Sequence, residues 1–153
     1  MKNEKLRKVF LGDRMKSITI KNEAGWGELG EYPEKGFTII FDDNFSEASI
    51  FDIGKEECSK LVPKEDAEIF WNNLMGCNFQ KVLFENEPMQ GCDGYNSIVE
   101  LSVGLQTVSL SLWCPNMNTY KEYNMTESVK LLEVIYSLIT YVSRQQVAKD
   151  FHF

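Results

Sequence analysis

The stretch "SIVELSVGLQTVSLSLW", residues 97–113, sets two alternating runs on either side of Gly104-Leu105. Alternation with a period of two marks strands that bury one face. Gly104 and Leu105 suit the centre of a type II′ turn, which accepts glycine first. That turn pairs Val103 with Gln106, Leu101 with Val108, Val99 with Leu110 and Ser97 with Leu112. Val99, Leu101, Val103, Val108, Leu110 and Leu112 then share one face, while Glu100, Ser102, Thr107, Ser109 and Ser111 share the other. A slip of one residue would turn the apolar set outward, so burial fixes the register. Asp93-Gly94 supplies a turn into the hairpin, and Pro115 ends it because proline cannot extend a ladder.

An apolar sheet face needs a cover, and the rest of the chain supplies one. "KSITIKN" (16–22) alternates Ile18 and Ile20 with polar neighbours and reads as a strand. In "GFTIIFDDNFSEASIFDIG" (36–54), Phe37, Ile39 and Phe41 share a face, "DDNFSE" turns the chain, and Ala48 and Ile50 lead back as a hairpin. "VPKEDAEIFWNNLMG" (62–76) reads as a helix: Pro63 suits its first turn, and Glu65 and Asp66 complement the positive end of the dipole. Ala67, Phe70, Trp71 and Leu74 fall on one stripe, and Gly76 terminates it. "FQKVLFE" (79–85) reads as a further strand. The last element begins near Asn124, with Glu127 at a capping-box position and Thr126 as a rival cap. Leu131, Leu132, Ile135, Leu138, Ile139 and Val142 give it a wide apolar face for lying on a sheet. The expected fold is α+β in the order β-β-β-α-β-β-β-α: an antiparallel sheet of about six strands under two helices. Residues 1–14 form a basic arm or short helix, 15–148 a single domain, and 149–153 a loose tail.

At 153 residues the chain suits one domain. Its formal charge is −7, unevenly spread: residues 1–14 carry five basic side chains against two acidic, and residues 22–100 carry seventeen Asp and Glu against five Lys. That field repels nucleic-acid backbones and anionic lipid and attracts a basic partner. The opening residues lack the apolar run of a secretory signal, and no stretch reaches the roughly 18 apolar residues of a span, so the expected location is the cytoplasm. Cys58, Cys77, Cys92 and Cys114 are widely spaced and read as four buried or semi-buried thiols of a reducing compartment, with a disulfide framework as the alternative.

Equipment for catalysis is sparse. His152 is the single histidine, one residue from the end, where nothing orients an imidazole for a triad. The cysteines lack zinc-ligand spacing. "GWGELG" (25–30) matches a dinucleotide-binding pattern in letters, but Pro33 interrupts any helix it would open and Glu28, Glu31 and Glu34 would repel a pyrophosphate. The expectation is therefore no enzyme, no cofactor and no metal. Asp42, Asp43, Asp52, Glu56 and Glu57 cluster in sequence around the first hairpin, and Trp26 sits in loop-like text. They read either as a solvated edge or as an acidic epitope, with Trp26 as an aromatic anchor. A carboxylate pair of a hydrolase is a further alternative.

The C-terminal portion resembles small bacterial cytoplasmic proteins that occur among the immunity proteins of toxin systems, including contact-dependent growth inhibition. The shared features here are Asp93-Gly94, the hairpin Val99 to Leu112, Trp113-Cys114-Pro115 and the Leu-rich helix Leu131 to Val142, about a third of the chain. The resemblance implies a protein that binds and neutralises a cognate toxin by occluding its active site. The acidic balance points to a cationic nuclease as that toxin. A protein-binding adaptor outside any toxin system fits the same composition.

Overall fold

The structure is a computed structural model. It describes residues 15–24, 35–42, 44–55, 59–89, 95–148, 151 and 153. In chain order the elements are β1 (Lys16–Ala24), β2 (Lys35–Phe41), β3 (Ala48–Asp52), β4 (Ser59–Val62), α1 (Lys64–Met75), α2 (Phe79–Asn86), a 3-10 turn (Glu87–Met89), β5 (Tyr95–Val103), β6 (Gln106–Trp113), α3 (Met117–Glu122) and α4 (Thr126–Arg144). The six strands form one antiparallel sheet in the order β4-β3-β2-β1-β5-β6, so the α+β class holds.

The hairpin register is the one the alternation dictates: Val103↔Gln106, Leu101↔Val108, Val99↔Leu110 and Ser97↔Leu112. Gly104 takes φ 59 at the tip, the backbone a type II′ turn asks of its first central residue. β1 lies between β2 and β5, aligning Ile50, Ile39, Ile18 and Leu101 in one cross-sheet row and Phe37, Ile20, Val99 and Leu110 in the next. Both rows are buried against Ala67, Trp71 and Leu74 of α1, Val82 of α2 and Leu131, Leu132, Ile135 and Leu138 of α4. Gly36 permits a backbone approach that a side chain would block, since a Cβ there would sit 2.1 Å from the Ile20 carbonyl oxygen.

Several expectations are corrected. Residues 79–86 are helix α2, not a strand. The Asn78 side chain accepts the Lys81 N–H at 3.1 Å, capping the first turn, and Val82 and Asn86, one turn apart, are both buried. The sheet keeps six strands because Ser59–Val62, too short to announce itself, pairs with β3. α3 is a further helix outside the expected order, opened by the Asn116 side chain accepting from Thr119 N–H. Val103 and Val108 share the apolar face but are 44% and 47% exposed, because the hairpin tip runs past the helices that cover Leu101 and Leu110. The C-terminal tail is not loose at the residues described: Phe151 is buried edge-on to Phe37, with centroids 6.0 Å apart. The arm 1–14 and the Asp93-Gly94 turn lie outside the described residues.

Helix α4 starts at Thr126, and neither Asn124 nor Thr126 caps it. Glu85 of α2 does so from 43 residues away, its Oε1 accepting from Ser128 N–H at 2.9 Å and from the Ser128 hydroxyl at 2.7 Å. A carboxylate there satisfies orphan amides and meets the positive end of the dipole.

Candidate functional site

Of the acidic set, Asp42 and Asp52 lie within the described residues, while Asp43, Glu56, Glu57 and Trp26 lie outside them. Asp42 follows β2 and caps the loop to β3. Its Oδ1 accepts from Asn44 N–H at 3.1 Å and Ser46 N–H at 2.7 Å, and Oδ2 accepts the Ser46 hydroxyl. Partial burial pushes its pKa up. The bonds from the Ser46 hydroxyl and the backbone outweigh that and hold the carboxyl below its ordinary value. The loop brings Phe45, at φ 53, against Phe41 and Trp71, and the Lys16 ammonium lies 4.3 Å from the Phe45 ring centroid.

Asp52 ends β3 opposite Phe37. It lies on the covered face, and its carboxylate accepts the Ala148 N–H at 3.2 Å and meets Lys55 Nζ at 3.3 Å. Asp52 thus pins the C-terminal segment and the turn after β3. The register sets Asp42 and Asp52 at opposite ends of one hairpin, about 17 Å of strand apart. The two carboxylates do not form an acid–base pair.

Other polar groups are likewise tied into the fold. Tyr120 donates to Asn86 Oδ1 at 2.8 Å, and Asn86 Nδ2 donates to Val82 O at 2.9 Å and to the Ser128 hydroxyl oxygen at 3.0 Å. With Glu85 this makes a buried chain of bonds linking α2, α3 and α4. Tyr141 meets Phe70 edge-on, with ring centroids 4.7 Å apart; burial, then its hydrogen bond to Asp66, pushes the phenol up to about 12. Burial also pushes the Cys77 thiol up, with Glu127 adding to the effect, so Cys77 is held as an inert thiol rather than a thiolate nucleophile. Among the described residues no three His, Cys, Asp or Glu side chains gather as metal ligands, and no helix is long and apolar enough to cross a membrane.

A concavity of about 500 Å³ beside the β6 edge of the sheet is lined by Leu83 and Phe84 of α2, Ser109 and Ser111 of β6, and Glu87 of the 3-10 turn. Phe84 is 76% exposed and Leu83 47%. Reading 79–85 as a strand concealed this site. A helical reading capped by Asn78 puts Val82 and Asn86 inward and leaves Leu83 and Phe84 outside.

Among known proteins, no family model and no curated protein matches the chain.

Proposed function

We propose that this chain is an immunity protein, acting in the cytoplasm, that binds and neutralises a cognate bacterial toxin by occluding a basic active site, in keeping with a cationic nuclease. The concentration of seventeen acidic residues against five lysines in residues 22–100 carries the reading. A field of that sign raises the encounter rate with a cationic surface, and charge pairs that lose water on docking slow release. Asp42, Asp43, Glu56 and Glu57, with Trp26 as the aromatic anchor, form the proposed contact. Asp52 supports it by fixing the turn that precedes Glu56.

The test is co-expression with the product of the neighbouring gene. Growth should be rescued and the pair should co-purify. The double substitution D43K/E56K should cut protection about tenfold or more by slowing association, with an unchanged urea midpoint. Full protection by that variant would remove the epitope; no rescue by the native chain would remove the function.

A further inference from the structure

We infer that the β6 edge and helix α2 form a strand-addition site for an extended, basic-flanked segment of a partner protein. In a two-residue hairpin the residues flanking the loop are a hydrogen-bonded pair, and such pairs recur at every second position. Gln106, Val108, Leu110 and Leu112 therefore turn their N–H and C=O groups toward β5. Thr107, Ser109, Ser111 and Trp113 turn theirs out of the sheet, where the strand order places no further strand among those described. The outward positions Ser109 and Ser111, about 6.8 Å apart, line the groove whose apolar wall is Leu83 and Phe84. An incoming strand would find backbone partners at the edge and an apolar pocket for alternate side chains, the two elements of β-strand recognition.

The strand carries none of the sequence devices that blunt an edge. "QTVSLSLW" has no charge and no proline, and its ladder with β5 is continuous from Gln106 to Trp113. Charge selects the occupant. The groove lining carries Glu87 and no cation, and the chain as a whole carries −7, which sets a second copy against itself and favours a basic segment. The proposal deepens the toxin-binding reading, on which the basic character of the occupant rests.

The probe is the synthetic peptide Lys-Lys-Val-Thr-Val-Thr-Val-Lys-Lys, titrated into the full chain, with amide exchange followed by NMR. Binding should slow exchange at Thr107, Ser109 and Ser111. Ser109→Pro removes an outward donor without touching the β5 ladder, and Phe84→Ser removes the apolar wall; each should weaken binding about tenfold. Leu61→Ser on the opposite edge should change nothing, and Glu in place of the flanking Lys should weaken binding by a similar factor. Equal binding by both groove variants, protection at β4 instead of β6, or a mass doubled through β6 pairing in light scattering would overturn the inference. Peptide binding without growth rescue would leave the groove standing and sink the toxin reading. Growth rescue with no peptide binding would do the reverse.

Discussion

At one end of the sheet the chain closes with β4, four residues that carry Lys60 and run straight into Pro63. At the other it closes with β6, eight residues without a charge. Shortness, a lysine and a neighbouring proline are the devices that keep an edge from recruiting a foreign strand. β4 has all three, whereas β6 is long and uncharged and meets a proline only at Pro115, two residues past its end. The ends differ in cover as well. On β4 Val62 is the one buried residue and Leu61, on the outer face, is 69% exposed, whereas β6 buries both Leu110 and Leu112 beneath the helices. A strand can thus be anchored firmly through its side chains while its backbone edge stays available, and β6 combines the two over eight residues.

The largest effect that sharpens this contrast is a pair of truncations. Leu110→Ala should cost about 2–5 kcal/mol in urea unfolding because it opens a cavity, and Leu61→Ala should stay within about 0.5 kcal/mol. Equal losses would break the comparison. Next comes Tyr120→Phe, which leaves the buried Asn86 Oδ1 without the bond it receives at 2.8 Å. It should cost about 1–3 kcal/mol and quicken amide exchange where α2 meets α4, far from the β4 end. Uniform loosening of both edges would show that the polar chain does not belong to the β6 side.

The smallest effect lies at the β2–β3 loop. Asp42 is held below its ordinary value of 3.8, so its contribution is present above that pH and fades as pH falls through the folded-state value. The stability difference between the native chain and Asp42→Asn should be greatest near neutrality and vanish in strong acid. A difference that stays constant down to pH 2 would mean the charge does not hold the loop.

The elements written in a local pattern were legible: the β5–β6 hairpin, the Phe37–Ile50 hairpin, α1 and the body of α4. Residues 79–85 read as a strand because Val82-Leu83-Phe84 is an apolar run too short for periodicity to separate strand from helix, and the choice fell to Asn78 at one end and the burial of Asn86 at the other. The acidic set was legible as a run of letters but not as a geometry. Asp42 caps its own loop, and Asp52 is consumed by a segment nearly a hundred residues downstream.

By itself the sequence determined the β5–β6 register, because alternation and a glycine turn act between neighbours and a one-residue slip would turn that hairpin's apolar set outward. Tertiary structure alone decided that Glu85 caps α4, that Asp52 holds the tail, and that Leu83 and Phe84 flank an open edge. Those arrangements depend on groups tens of residues apart, whose meeting leaves no periodic trace in the chain.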